Sequence, residues 1–170
     1  IRVMGNGFTY TFSKKTGGLT SFWYQGKEIL KQEMTLNLWR APLANDLDQW
    51  TVRRSGLSRT PGMGNGQSNA WFAHGLDKMT TALDGYEWVK KEGNILLKIE
   101  SHTCNAGQTT CFENRMEYTI SGNGKMTVEH LVTPQGRMPE WLPRVGLQLV
   151  LDSSFTHLEW YGRGPFETCP

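Results

Sequence analysis

Apolar and polar residues alternate with a period of two along most of this chain, the pattern of strands that lay one face on a core. Phe8, Tyr10 and Phe12 fall on one side, and Thr9, Thr11 and Ser13 on the other. "SKKTGG" then supplies turn residues, and Leu19–Tyr24 followed by 27–30 around "QG" predicts a hairpin. Further strands are expected over 35–40, 81–90, 94–104, 111–120, 125–133, 142–151 and 156–161. "SGNGK" after Ile120 has the glycines and asparagine that a tight antiparallel reversal demands. In "VGLQLVL", Val145, Leu147, Leu149 and Leu151 share a side, as one buried sheet face requires. Helical spacing occurs in "SNAWFAHGLDKM", which predicts one short helix near 69–79. Ser68 or Asn69 would cap it, Trp71, Phe72, Leu76 and Met79 would form its apolar stripe, and Gly75 weakens it.

The remaining feature of the pattern is a long irregular stretch, 41–67, containing "RTPGMGNGQSN". A segment of that length without secondary structure is uncommon inside a compact domain, and is usually functional or disordered. The chain has 170 residues and 38% hydrophobic content, enough for one core of ordinary size. The expected fold class is therefore all-β: a single antiparallel β-sandwich domain over 1–170 with one large excursion.

Charge and cysteine content narrow the partners. With a net charge of +2 and acids nearly balancing bases, nothing favours nucleic acid or an anionic membrane. No apolar stretch approaches the roughly 18 to 20 residues that would span a bilayer. "IRVMGNGFTY" lacks a signal-peptide pattern and a starting methionine, so a processed or cloned boundary is expected there. The three cysteines form no C-x-x-C pair and no ligand set with His74, His102, His130 and His157, so no metal is expected in this segment. Cys104 and Cys111 flank "NAGQTT" and are either a cross-strand disulfide or two free buried thiols. A disulfide would argue for an oxidising compartment, and Cys169 is left over in both cases.

Candidate chemistry is sparse. Asp46 and Asp48, with Glu33, are the carboxylates that could serve as general acid and base, although retaining glycoside hydrolysis needs two carboxyl groups about 5–5.5 Å apart. The blander reading of Asn45-Asp46 is an Asx-turn that ends the preceding strand. No G-x-S-x-G elbow is present, and "GMGNG" lacks the βαβ surroundings of a phosphate loop. Among the tryptophans, Trp88 and Trp160 lie within strand patterns and read as core, whereas Trp39 and Trp50 flank the irregular loop and could stack on a sugar ring. In "EWYGRGPFETCP", Gly162, Gly164 and Pro165 impose a fixed turn, with Arg163 pinning it through a salt bridge or bonds to backbone carbonyls.

Three segments taken together resemble one family. "FTYTFSKKTGGLTSFWYQGKEIL", "LNLWRAPLANDLDQW" and "LPRVGLQLVLDSSFTHLEWYGRGPFETCP" are similar, in order and separation, to the start of the C-terminal β-supersandwich domain of glycoside hydrolase family 2 β-galactosidases, the small-chain or fifth domain. Trp39, Arg40, Ala41, Pro42, Asn45 and Asp46 match the family's W-R-A-P-x-D-N-D, with Ala44 where aspartate is usual. Tyr161, Gly162, Arg163, Gly164, Pro165 and Glu167 match Y-G-R-G-P-x-E, while Thr168 and Cys169 replace Asn and Tyr.

The resemblance implies an incomplete, galactose-mutarotase-like supersandwich attached to a catalytic barrel. Both catalytic glutamates would lie in that barrel, so no catalytic residue and no cofactor is expected in this segment. Magnesium or sodium is expected in the parent enzyme, which acts on β-galactosides with retention and can be a homo-oligomer. By the same carry-over, Asn45, Asp46 and Asp48 are substrate-proximal, Arg40 positions them, and Trp39 and Trp50 flank them. The implied setting is the bacterial periplasm or cytoplasm, with the periplasm favoured if the disulfide forms. Two other readings stand beside this one: a non-catalytic carbohydrate-binding module, and a mutarotase-like sugar epimerase needing a histidine opposite a carboxylate.

Overall fold

A computed structural model of the chain describes residues 1–47 and 64–159. Ten strands run in order: β1 Arg2–Gly5, β2 Phe8–Phe12, β3 Leu19–Tyr24, β4 Lys27–Glu28, β5 Leu30–Asn37, β6 Thr80–Lys91, β7 Asn94–Cys104, β8 Thr110–Ile120, β9 Met126–Gly136 and β10 Gly146–Leu151. Among the described residues these strands pair antiparallel throughout, and the hydrogen-bonded sheets have the orders β1-β2-β3-β4, β10-β5 and β6-β7-β8-β9. The fold is an all-β sandwich. One layer holds β1 to β4 with β5 lying against β3, and β6 to β9 form the other.

Alternation explains why these layers meet. Phe8, Tyr10 and Phe12 on β2 are buried, as are Leu97 and Ile99 on β7 and Met116, Tyr118 and Ile120 on β8, and all of them join one core cluster with Leu19, Leu30 and Met34. Fully burying an aliphatic or aromatic side chain contributes about 1.5–3 kcal/mol, so these facing strands hold the two layers together. Phe12 meets Tyr118 edge-on across the layers, with ring centroids 4.9 Å apart. A second cluster of Leu38, Trp71, Leu76 and Phe112 lies beneath the short helix, and Leu36, Trp39 and Met79 pack on it.

Turn chemistry sets the hairpins. The β3–β4 reversal has positive φ at both Gln25 and Gly26, the backbone of a two-residue turn whose twist suits the flanking strands. Another two-residue loop, Asn6-Gly7, joins β1 to β2, with positive φ at Gly7 but not at Asn6. That Asn-Gly pair is a strong hairpin signal, and it pairs a short strand, β1, that the alternation alone did not reveal. Cys104 and Cys111 face each other across the β7–β8 register and form a disulfide with sulfurs 2.10 Å apart.

Several boundaries differ from the sequence expectation. The strand expected over 35–40 runs instead over Leu30–Asn37, because Asn37 Oδ1 accepts the Trp39 amide at 3.0 Å and turns the chain out of the ladder. The helix near 69–79 is two pieces: α1 Gln67–Ala73 and a 3-10 turn Leu76–Lys78, split where Gly75 takes φ +67°. Ser68 lies inside α1 rather than capping it, and the excursion 41–67 contains a 3-10 turn at Ala44–Asp46. The strand expected over 156–161 is absent from residues 156–159, and its last two residues lie outside the described ones.

The face expected for Val145, Leu147, Leu149 and Leu151 also fails. Leu147 packs on the core, but irregular register between Gln148 and Leu151 breaks the alternation and leaves Leu149 and Leu151 exposed, while Val145, also exposed, precedes β10. Trp88 is not core. Its register partner Leu97 is buried, which puts Trp88 on the inward face, but β6 is an edge strand and Trp88 is 63% exposed.

Candidate functional site

Beyond β5 the chain enters a tightly held turn. Arg40 extends a guanidinium whose planar fork matches a carboxylate: Nη1 donates to Asp46 Oδ2 at 2.5 Å and Nη2 to Asp46 Oδ1 at 3.1 Å. Asp46 Oδ2 also accepts the Leu43 amide at 2.7 Å, closing the loop at the start of the 3-10 turn. The Asp46 backbone is anchored too, its carbonyl accepting Ser68 Oγ from α1 at 2.9 Å. Arg40 lies over the indole of Trp71, 5.1 Å from the ring centroid, so the clamp is stacked on the second core cluster.

These contacts govern the electrostatics. The Asp46 carboxyl is held below the usual carboxylate range, first by its hydrogen bonds from Arg40 and then by the Leu43 amide, against the opposing effect of burial. Arg40 is shifted upward, chiefly by the same hydrogen bonds. Asp46 is 6% exposed, with both oxygens engaged, so it acts here as a fixed anion that shapes the loop. Asn45, directly before it, is exposed.

The structure therefore brings together Trp39, Arg40, Asn45 and Asp46 of the residues picked from sequence. Trp39 is half-buried and meets Trp71 and Phe72 edge-on at 6.4 and 5.0 Å between centroids, so its rings are engaged in packing. Asp48, Trp50, Trp160, Gly162, Arg163, Gly164 and Pro165 lie outside the described residues. Glu33 is remote in role: it accepts the Thr16 hydroxyl between the two layers.

Three contributors went unread in the sequence. Ser68 was visible only as a cap candidate, and Trp71 only as part of an apolar stripe. Gly64 comes so close to the turn that an added Cβ would lie 1.6 Å from the Asn45 carbonyl oxygen, while its amide donates to Leu47 O at 2.9 Å. Its position in "GMGNG" gave the one hint, since glycine runs often mark close backbone approach.

The family comparison accords with this motif. The family described as Beta galactosidase small chain matches residues 4–170. The chain belongs to that family. Among relatives of this small-chain domain, a β-galactosidase of Priestia megaterium is 28% identical over 167 residues, covering 98% of this chain and 14% of that protein. One from Staphylococcus xylosus is 26% identical, covering 97% of this chain and 15% of its own length. One from Vibrio cholerae is 28% identical, covering 100% and 16%. The small-chain domain thus spans about a seventh of the length of the curated relatives it matches.

Other histidine–carboxylate contacts are superficial. His102 Nδ1 is 2.5 Å from Asp84 Oδ1, with both side chains nearly half exposed, and His157 pairs with Glu159 in a fully solvated setting. Such pairs contribute little in water. Among the described residues no group of three His, Cys, Asp or Glu side chains converges, so they offer no cage of that kind for the magnesium or sodium ion that the resemblance implies.

Proposed function

We propose that this chain is the part of a retaining β-galactosidase that borders the substrate pocket and supports a catalytic barrel lying outside it. The observation that carries the reading is the Arg40–Asp46 clamp, which holds this chain's W-R-A-P-L-A-N-D turn rigid and leaves Asn45 facing outward. Substrate-proximal residues belong on turns fixed by a scaffold, because a small displacement of a positioning group costs much of its effect. In this reading Arg40 and Asp46 position the turn, and Asn45, with Asp48 and Trp50, is the part that meets substrate.

The chemistry then belongs elsewhere: a general acid protonates the leaving oxygen and a carboxylate nucleophile forms a galactosyl-enzyme that water resolves. The Cys104–Cys111 bridge supports an oxidising compartment, the bacterial periplasm rather than the cytoplasm. The carbohydrate-module alternative loses support from Trp39, whose rings are taken up by Trp71 and Phe72.

Asn45→Ala in the full-length enzyme tests the reading. A fall of about five- to tenfold in kcat/KM for a nitrophenyl β-galactoside is expected, the size of one lost hydrogen bond, with thermal stability unchanged. Wild-type kcat/KM in that variant, or hydrolysis by this chain alone, would overturn it.

A further inference from the structure

The two layers of the sandwich do not close on each other everywhere. Between them lies a partly open cavity of about 270 Å³, and its lining departs from what a sandwich core requires. On β7 the inward positions run Ile95, Leu97, Ile99 and then Ser101 and Thr103, a switch from apolar to hydroxylic on one face. Asn114 of β8 and His130 of β9 continue the polar row across the sheet.

The row is built, not accidental. Thr81 and Thr103 share a hydrogen bond at 2.8 Å, and Asn114 Nδ2 donates to Thr103 Oγ1 at 3.0 Å. His130 Nε2 lies 3.2 Å from Asn114 Oδ1, which can only accept, so in the neutral ring Nδ1 is left as the acceptor. From the opposite layer comes Glu33, held by the Thr16 hydroxyl. Gly18 makes room for it, since a Cβ there would lie 2.1 Å from the Glu33 carboxylate.

Not all of these groups are satisfied by protein. Ser101 is 7% exposed and lines the cavity, and among the described residues its hydroxyl has no hydrogen-bond partner. That hydroxyl is not sealed from solvent; it opens into the cavity and can bond whatever enters it.

The lining also defines the chemistry of the occupant. Among the described residues no lysine or arginine borders the cavity and Glu33 is its one carboxylate, which disfavours anions and gives a cation no cage. Hydroxyls, an amide, an imidazole and a carboxylate stand beside the apolar Met34, Met116 and Leu147. That mixture suits a small neutral molecule with hydroxyls at its rim and C–H surface on its face. Its volume lies just under the usual range for ligand pockets, about 300–1,000 Å³, and so matches a single ring rather than a chain.

We propose that the interlayer cavity is a binding site for a neutral monosaccharide, with Ser101, Asn114, His130 and Glu33 as its polar contacts. The site is separate from the Arg40–Asp46 turn and does not depend on the pocket-shaping reading.

The test uses the full-length protein labelled with [13C-methyl]methionine, because Met34 and Met116 line the cavity and report on it locally. Their methyl signals, assigned with Met34→Leu and Met116→Leu, should shift saturably with D-galactose or D-glucose. Ser101→Val should weaken that response at least tenfold, and so should Glu33→Gln, while Asn45→Ala leaves it intact. Should Ser101→Val fail to fold, Glu33→Gln decides. Unmoved Met34 and Met116 signals at sugar concentrations up to about 100 mM, enough to fill any site of millimolar affinity, would overturn the proposal. Undiminished affinity in folded Glu33→Gln and Ser101→Val proteins would do the same. Loss of catalysis in Asn45→Ala concerns only the pocket-shaping reading, so the two ideas fail separately.

Discussion

Replacing Asp46 by Asn removes one charge from the clamp while keeping its volume. The wild-type pair is bidentate, with contacts of 2.5 and 3.1 Å, and its side chains are unequally exposed, 8% for Asp46 and 30% for Arg40. Breaking a fully buried pair costs about 3–5 kcal/mol because a charge is stranded. Arg40 is open enough to rehydrate, so a loss of about 1.5–3 kcal/mol is expected, the range for hydrogen bonds to charged groups. In a domain of this size each kcal/mol moves the midpoint by roughly 2–4 °C, which gives a fall of about 3–12 °C at pH 7. Thermal unfolding followed by circular dichroism reads it. The pH dependence adds a second check. The folded pKa of Asp46 lies below its unfolded value, so its contribution is complete above the unfolded pKa, about 3.9, and is lost as pH falls through the lower folded value. Wild type and Asp46→Asn should therefore converge in strong acid. A gap under about 1 °C at pH 7, or one that persists undiminished at pH 2, would refute the clamp.

Three further outcomes follow from the packing. Replacing both Cys104 and Cys111 with Ser should lower stability by about 2–3 kcal/mol in urea unfolding, the chain-entropy value for so short a loop, and wild-type stability in the double variant would contradict it. Burial pushes the Tyr118 phenol well above the ordinary tyrosine range, so alkaline titration at 295 nm should show a late step that disappears in Tyr118→Phe; one uniform step for all tyrosines would count against this. Trp71→Ala should cost about 3–5 kcal/mol, since Trp71 is 2% exposed and supports both Trp39 and Arg40, and a loss below about 1 kcal/mol would show that this cluster carries little of the fold.

Much of the candidate site was legible because it is local. The W-R-A-P-x-x-N-D spacing puts Arg40 and Asp46 six residues apart on one turn, close enough for the fork to close without help from distant chain. What could not be read was the support beneath it. Ser68 reaches Asp46 from 22 residues away, and Gly64 fits against Asn45 through backbone proximity that no spacing rule reports. The polar row of Ser101, Thr103, Asn114 and His130 went unread too: it is spread over three strands, and only pairing brings its members side by side.

The sequence by itself determined the strands of β2, β3, β7 and β8, the reversals at Gln25-Gly26 and after Ile120, and the all-β class, because period-two alternation and turn chemistry act over a few residues. Tertiary structure alone decided which inward-facing residues are covered. Trp88 and Leu97 share a face and a register position, yet Leu97 is buried and Trp88 is open to solvent, since burial depends on whether the opposing layer extends that far. Leu149 and Leu151 were misread for a related reason: the register irregularity in β10 is a property of its pairing with β5 and leaves no mark in the order of residues.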